Sequence, residues 1–298
     1  MARTARTAGS GADGRRALPA RAAFIGPGLL YVTLFMAIPL VLVFAYSVLT
    51  RGRFGGVRGQ FTLENFQRVL DPIYLGVIAD SILIAGATTV LALLIGYPVA
   101  FAIARLPVRW RTAALVLVVL PFWTNFLVRT YAWIVLLNSE GPVNGALQAI
   151  GLVDEPIGML YTPGAVIAGL LYAYLPLMIL PLYASIERLD PQLPEAALNL
   201  GASRWRVFRD ITLPLTASGA MIGAIFVFVP SLGNFVIPEL LGGKKTVMIG
   251  NLIRDQFLTA RDWPFGAVLA MLMVLLLVGL FALQAAISRR INGRSAHA

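Results

Sequence analysis

Stretches of mostly apolar residues alternate with polar loops along this chain, and six of them are long enough to cross a bilayer. A spanning helix needs about 20 predominantly apolar residues. No segment shows the alternation over about ten residues that is typical of a barrel strand. The pattern therefore predicts an all-α, polytopic membrane bundle. The six predicted transmembrane helices cover residues 24–48, 77–104, 112–137, 164–186, 215–237 and 265–287.

The first predicted span is longer than the apolar core of a signal peptide, and no small-residue cleavage site follows it. We therefore expect an uncleaved anchor. Prolines occur inside the spans, as they do in transporters whose kinked helices line a pathway. For any single proline, an ordinary kink of a membrane helix is the more usual explanation. These prolines are Pro39, Pro98, Pro121, Pro176, Pro181 and Pro230.

The basic residues are unequally distributed between the loops, and this bias predicts orientation. If the N-terminus is inside, the inner segments hold 15 Lys and Arg residues and the outer loops hold 8. Four arginines in the outer loop 49–76 weaken the bias without reversing it. We therefore expect both termini in the cytoplasm, with a basic, disordered tail at 1–23, a membrane domain at 24–287 and a short tail at 288–298.

Composition supports lipid as the solvent and excludes several kinds of function. The chain is 58% hydrophobic and 13% charged, whereas soluble domains carry about 25% charged residues. Its net charge of +10 arises from loop residues and not from a dense basic tract, so we expect no nucleic-acid binding. The absence of cysteine and the single His297 leave nothing for thiol chemistry, a histidine relay or a metal site with Cys or His ligands.

The inner loop 187–214 is predicted to hold two short helices that meet at a glycine. Pro194 and Glu195 suit the start of the first helix, because proline is tolerated in a first turn and a carboxylate favours the positive end of the dipole. Gly201 suits its C-terminal cap. The small side chains of Ala196 and Ala197 would allow another surface to approach closely.

The second short helix of this loop is predicted to begin at Ser203, which suits an N-cap. Its apolar face would consist of Trp205, Phe208 and Ile211, and Pro214 would end it before the next span. Residue chemistry alone leaves two interpretations open. The loop is either a docking element for another protein or a helical elbow that packs on its own bundle.

The spacing of this loop resembles, without a gap, the "EAA" loop of ABC importer permeases. The sequence reads Glu-Ala-Ala at 195–197, then Gly201, Ile211 and Leu-Pro at 213–214. In that family the loop is a coupling helix that sits in a groove of the cytoplasmic ATPase. The resemblance implies ATPase-coupling roles for Glu195, Ala196, Ala197, Gly201, Arg204, Trp205 and Phe208.

Four further segments, at 121–133, 180–188, 230–243 and 248–257, resemble the spermidine/putrescine branch of these permeases. With the loop they cover nearly all of 61–287, whereas residues 1–21 match nothing. The resemblance implies a subunit of the bacterial cytoplasmic membrane, with a transport core at 77–287, that forms half of a polyamine pathway. Its implied partners are an ATP-binding cassette ATPase dimer, a second permease that is identical or homologous, and a periplasmic or extracytoplasmic substrate-binding protein.

No phosphate-binding loop is present, since the Gly-Gly-Lys-Lys-Thr run at 242–246 lacks the glycine spacing that such a loop needs. We therefore expect no enzymatic activity and no cofactor in this chain, with ATP and Mg²⁺ on the partner ATPase. A secondary transporter is the competing class. It would need ionisable residues in mid-membrane and inverted repeats, but the charged residues within the spans are few: Asp80 near an end, Arg129 within the third span and Arg105 at a border.

A polyamine pathway would need aromatic faces for ammonium groups and a few carboxylates. Anchoring at the interface or packing in the bundle is the more usual role of such aromatic residues. The outer loop 138–163 carries three acidic residues and no basic one, which favours an arriving cation. The candidate pathway residues are Trp123, Asn125, Tyr131, Trp133, Tyr172, Asn234 and Glu239.

Arg129 argues against a polycation if its guanidinium faces the pathway, because like charges repel. We expect it to be paired, with Asp80, Glu140 or Glu239 as candidates, or to be turned away. If it faces the pathway instead, an anionic substrate is the alternative.

Overall fold

A computed structural model describes residues 26–295, with side chains for 26–286. The predicted tail at 1–23, the start of the first span and His297 lie outside the described residues. A two-stranded antiparallel hairpin, β1 (Leu49–Arg51) and β2 (Val57–Phe61), follows the first helix. The helices are α1 (Gly26–Ser47), α2 (Glu64–Arg68), α3 (Pro72–Arg105), α4 (Val108–Trp123), α5 (Phe126–Leu137), α6 (Pro142–Ala149), α7 (Pro163–Glu187), α8 (Gln192–Asn199), α9 (Arg204–Gly233), α10 (Ile249–Leu258) and α11 (Trp263–Ser295).

The prediction of a helical membrane bundle is confirmed. Five helices in the described part of the chain, α1, α3, α7, α9 and α11, are long and apolar enough to cross a membrane, and a bent pair of segments would make a sixth span. The last helix continues to Ser295, so most of the predicted C-terminal tail, 288–298, is helical.

The third predicted span, 112–137, is not one straight helix. It is divided between α4 and α5, and the axis of α4 meets that of the α5–α6 segment at an angle of 90°. Pro121 lies in a tight 3₁₀ turn that closes α4, and the side chain of Asn125 caps α5 by accepting hydrogen bonds from the backbone N–H groups of Leu127 and Val128 at 2.8 and 3.4 Å. Apolar composition predicts that a segment is buried in lipid, but not whether it is straight.

The fifth predicted span differs at both ends. Pro214 does not separate the loop helix from the span, because α9 runs continuously from Arg204 through a π-helical turn at Phe208–Thr212. Such a turn shifts the hydrogen-bond register and accommodates the proline's missing donor. The helix also ends earlier than predicted, at Gly233, since Asn234 adopts an extended conformation.

Small residues bring α3, α7 and α9 into close contact at the centre of the bundle. A Cβ atom on Gly96 would lie 3.0 Å from Met178, and one on Gly223 would lie 2.7 Å from the Met178 sulfur. A Cβ atom on Gly219 would lie 2.6 Å from the carbonyl oxygen of Pro181. Close backbone approach of this kind is a common way for helices to associate in a membrane, where apolar side chains gain little from leaving lipid.

Polar contacts hold the end of the bundle opposite the 188–203 loop. Ser81 of α3 accepts a hydrogen bond from the backbone of Ile249 at 2.8 Å, and Arg68 of α2 forms an ion pair with the buried Asp262 at 2.9 Å. Burial disfavours the charge of Arg68, but the hydrogen bond and the Coulomb attraction from Asp262 outweigh it and raise the pKa of the guanidinium. This pair connects α2 to the start of α11.

Candidate functional site

The first helix of the candidate coupling loop, α8, begins at Gln192, two residues before the predicted start. Asp190 accepts a hydrogen bond from the Gln192 backbone at 2.9 Å, and Pro194 lies in the first turn. Glu195 and Ala196 are exposed, and Ala197 is partly exposed. The residues predicted to meet another protein are therefore accessible.

Gly201 ends α8 as predicted, with a φ of +86°. Its N–H donates to the carbonyl of Leu198 at 2.9 Å, and the next N–H, from Ala202, donates to Ala197 at 3.0 Å. These two bonds form a Schellman motif, which satisfies the last carbonyls of a helix and requires a residue in the left-handed region. The glycine thus sets the angle between α8 and α9.

The start of α9 also follows the sequence, but its apolar face is divided. Ser203 caps the helix by accepting a hydrogen bond from Arg206 at 3.3 Å. Phe208 packs edge-on against Tyr97 of α3, with ring centroids 5.5 Å apart, whereas Trp205 stacks on Phe208 and remains 68% exposed. Phe208 therefore anchors the loop to the bundle, and Trp205 does not become buried.

The two interpretations of this loop apply to different parts of it. The interpretation as an elbow packed on its own bundle applies to Phe208. It does not apply to α8, whose main contacts are with the first turns of α9. Three leucines of α8 and its C-cap are exposed: Leu193, Leu198 and Leu200. Exposed apolar side chains beside small residues are typical of a surface that meets a partner.

The candidate pathway residues do not all lie together. Trp133 packs edge-on against Tyr172, with centroids 5.8 Å apart, and both line a small cavity between α5 and α7. The volume of this cavity is about 10 Å³, roughly what one water molecule needs, so it does not hold a polyamine in this conformation. Trp123 and Tyr131 are exposed on the surface of the bundle.

Two of the proposed polar pathway residues have structural partners. Asn125 caps α5, as described above. Asn234 donates to the hydroxyl of Tyr174 at 2.7 Å and accepts from the backbone of Ile237 at 2.8 Å. These bonds hold the turn that follows α9, so pathway roles for Asn125 and Asn234 remain predictions alongside the observed structural ones.

Arg129 lines the same small cavity without an acidic partner. Its guanidinium lies 5.8 Å from the ring centroid of Phe122 and 5.9 Å from those of Phe126 and Tyr172. Within residues 26–286, its Nε and Nη1 atoms are buried and have no hydrogen-bond partner. Aromatic faces take the place of the expected carboxylate.

Glu239 pairs with Arg254 of α10 and not with Arg129. Arg254 also contacts Asp255 at 2.8 Å, so it sits between two carboxylates. Sequence reasoning did not assign Arg254, because its pairing depends on the turn after α9 folding back. It also did not assign Tyr97, which supports Phe208 and shares a 2.7 Å hydrogen bond with Thr216.

Five to six candidate spanning helices, one of them broken, and an exposed helical elbow define a polytopic membrane subunit. The chain belongs to the family described as binding-protein-dependent transport system inner membrane component, whose model matches residues 92–293. This confirms the resemblance drawn from the loop and the four segments, and it favours an importer permease over an ion-driven transporter.

Relatives with curated names place the chain more finely. It is 44% identical to the spermidine/putrescine transport system permease protein PotB of Escherichia coli (strain K12), over 80% of this chain and 86% of that protein. The PotB protein of Haemophilus influenzae is 41% identical, over 88% and 93%. A putative 2-aminoethylphosphonate transport system permease, PhnU of Salmonella paratyphi A, is 25% identical over 88% of this chain and 93% of that protein.

Solved structures confirm the fold. A bacterial ABC transporter involved in the import of the acidic polysaccharide alginate has a chain with a TM-score of 0.75 at 18% identity, covering 94% of this chain and 98% of that one. The same type of transporter in complex with an alginate pentasaccharide-bound periplasmic protein gives a TM-score of 0.74. At this identity the likeness concerns architecture alone.

Proposed function

We propose that this chain is the permease subunit of a bacterial polyamine importer and forms half of its translocation pathway. A second permease, identical or homologous, completes the pathway. A substrate-binding protein delivers the substrate outside the membrane, and an ABC ATPase dimer binds ATP and Mg²⁺ in the cytoplasm. Both termini of this chain lie on the cytoplasmic side, and the chain itself catalyses no reaction.

The exposed elbow carries the proposal for the ATPase. A glycine-capped helix projects from the bundle with Glu195, Ala196 and three leucines accessible, while Phe208 ties the elbow to α3. This arrangement offers an apolar, closely approachable surface that is mechanically connected to a spanning helix. A docking element that transmits force needs both properties.

Two lines of support favour a polyamine as the substrate. The relatives at 41–44% identity are named for spermidine and putrescine, whereas the relative named for 2-aminoethylphosphonate is only 25% identical. In addition, the exposed outer acids Glu140, Asp154 and Glu155 make no ion pair within the described residues. They would attract a cation to this end of the bundle.

Arg129 supports a second candidate, a substrate with an anionic group. Its guanidinium lines the cavity at Trp133 and Tyr172 and lacks an acidic partner among residues 26–286. An anionic substrate would supply the missing partner, whereas a polyamine would require the guanidinium to stay among its aromatic neighbours.

Competition in an uptake assay decides between the two substrates. Cells that express the chain together with its ATPase, second permease and binding protein should accumulate labelled spermidine, and cells lacking only this chain should not. Unlabelled putrescine should compete, and 2-aminoethylphosphonate should not. Uptake of the phosphonate without uptake of spermidine would overturn the polyamine assignment and leave the permease role intact.

Docking of the ATPase is tested separately by co-purification. Ala196→Trp adds a large side chain at an exposed position and should abolish recovery of the ATPase with the permease, without lowering membrane abundance. Ala149→Trp, on the exposed face of α6, is the matched control and should leave recovery unchanged. Normal recovery of the ATPase with Ala196→Trp would contradict docking at α8.

A further inference from the structure

A second, larger cleft opens between the end of α3 and the start of α9. Its volume is about 410 Å³. The residues that line it are Tyr97, Pro98, Phe101, Arg204, Trp205 and Phe208. It is separate from the small cavity at Arg129, and none of the candidate pathway residues lines it.

The cleft lies at the boundary of the membrane, on the side that carries the 188–203 loop. Pro98 precedes the last residue of α3, Arg105, by seven positions, which corresponds to about 10 Å along a helix axis. Arg204 and Trp205 begin α9. The cleft therefore extends from the level of the helix ends toward the hydrocarbon region, the depth at which lipid headgroups join their acyl chains.

The walls of the cleft are apolar, and its rim is positively charged. The hydroxyl of Tyr97 is already bonded to Thr216, so it has no need of a polar ligand. Arg204 lines the cleft, and the guanidinium carbon of Arg105 lies 4.2 Å from the ring centroid of Phe101. The cleft thus combines an aromatic floor with one lining guanidinium group, that of Arg204, and a second one, that of Arg105, which stacks on the lining ring of Phe101.

Some arginines at this end of the bundle are paired with acids, whereas others are not. Arg111 pairs with Glu187 at 3.5 Å, and Arg209 pairs with Asp210 at 2.7 Å. Arg105 and Arg204, like Arg109 and Arg188, form no ion pair with any acid in the 26–286 region. Their charges are available to an anion, and guanidinium groups match phosphate geometry well.

We propose that this cleft binds an anionic phospholipid, with its phosphate at Arg105 and Arg204 and an acyl chain against Pro98, Phe101 and Phe208. Basic pockets between spanning helices are suited to acidic lipid headgroups. A soluble subunit would reach only the rim, whereas a lipid supplies both the charge and the apolar chain at this depth. Because Phe208 also anchors the elbow, a bound lipid would stabilise the link between α9 and α3.

Photolabelling of the complete importer tests this assignment. The complex is reconstituted in phosphatidylcholine vesicles that contain phosphatidylglycerol with a photoreactive acyl chain, and labelled peptides are mapped by mass spectrometry. Peptides that contain Phe101 and Phe208 should be labelled. The double variant Arg105→Gln/Arg204→Gln should lose most of this labelling, since each interfacial arginine contributes about fivefold to the affinity for acidic lipid.

Two controls make the result decisive. The double variant Arg109→Gln/Arg188→Gln removes the same charge from exposed residues of the same end of the bundle and should retain the labelling. A photoreactive phosphatidylcholine should label the cleft several-fold less. Equal labelling by both lipids, or an equal loss in both double variants, would show general attraction to the membrane and overturn the proposal. Labelling of the isolated permease but not of the assembled importer would also overturn it, because a protein partner would then fill the cleft.

Discussion

The backbone conformation at position 201, and not a lack of space, limits which residues can replace Gly201. A Cβ atom there would meet nothing within 4 Å, but the φ of +86° is one that L side chains rarely adopt. Gly201→Val should therefore change the direction of α8 at a cost of about 1–2 kcal/mol for the left-handed conformation. Uptake and ATPase co-purification should fall while membrane abundance is retained.

Gly201→Asn is the matched control, since asparagine tolerates the left-handed region. It should preserve most of the uptake. If Gly201→Val transports normally, the glycine cap does not set the coupling geometry.

Because Glu239 pairs with Arg254 and not with Arg129, the variant Glu239→Gln does not leave a buried arginine unpaired. Arg254 is partly exposed and keeps Asp255 when Glu239 is neutralised. Loss of such a pair costs roughly 0–1 kcal/mol, so Glu239→Gln should leave membrane abundance unchanged. If Glu239 serves a polycation, the same variant should reduce spermidine uptake at least several-fold.

Arg254→Gln separates the two roles of that pair. It removes the partner but keeps the Glu239 carboxylate, so uptake should persist. Equal loss of uptake in both variants would mean that the ion pair matters and not the charge of Glu239, whereas unchanged uptake in Glu239→Gln would exclude a substrate role.

Residue-level prediction succeeded where the physical cause is local. Gly201 and Ser203 form caps as expected, because capping depends on bonds between residues only a few positions apart. The partners of Glu239 and Arg129 could not be predicted in the same way. Glu239 meets Arg254 only because the chain turns after Asn234, and Arg129 is surrounded by rings from three different helices.

Among the helices, the span count was predictable and the breaks were not. Hydrophobic length identified α1, α3, α7, α9 and α11, since that signal is additive along the chain. Pro121 and Pro214 show why local rules failed. The first coincides with a 90° break, whereas the second lies inside a continuous helix that a π-helical turn accommodates. The effect of a proline depends on whether the surrounding structure satisfies the backbone groups that the proline leaves without a hydrogen bond.

Packing between α7 and α9 gives a prediction at this scale. Gly219→Ala would place a methyl group 2.6 Å from the Pro181 carbonyl oxygen and 2.7 Å from the Ser185 Cβ. Overpacking of this kind costs about 1–3 kcal/mol, so thermal stability in detergent should fall. Gly86→Ala, in α3 with nothing within 4 Å, is the control and should be neutral or stabilising. Similar stability of the two variants would contradict the close approach of α7 and α9.

For the whole molecule, orientation is the prediction that remains to be tested. Ile150 and Leu200 are 68% and 89% exposed, and the chain has no cysteine of its own. Ile150→Cys and Leu200→Cys should react with a membrane-impermeant thiol reagent from opposite sides, with position 150 outside. Reaction of both from outside would rule out cytoplasmic docking of the elbow. The cysteine-free parent chain supplies the background.

The continuity of α9 has a mechanical consequence. Its 30 residues span about 45 Å at 1.5 Å per residue, so one continuous helix connects the elbow at Ser203 to the turn at Asn234. A tilt of about 5° at the elbow would displace the far end by about 4 Å, somewhat less than the 5.4 Å pitch of one helical turn. If Pro214 had broken this helix, a rotation of α8 would not have been transmitted beyond the membrane surface. Because α9 is continuous, we expect a movement of α8 that follows ATPase docking to reach the hydrogen bond between Asn234 and Tyr174 at the other end of the helix.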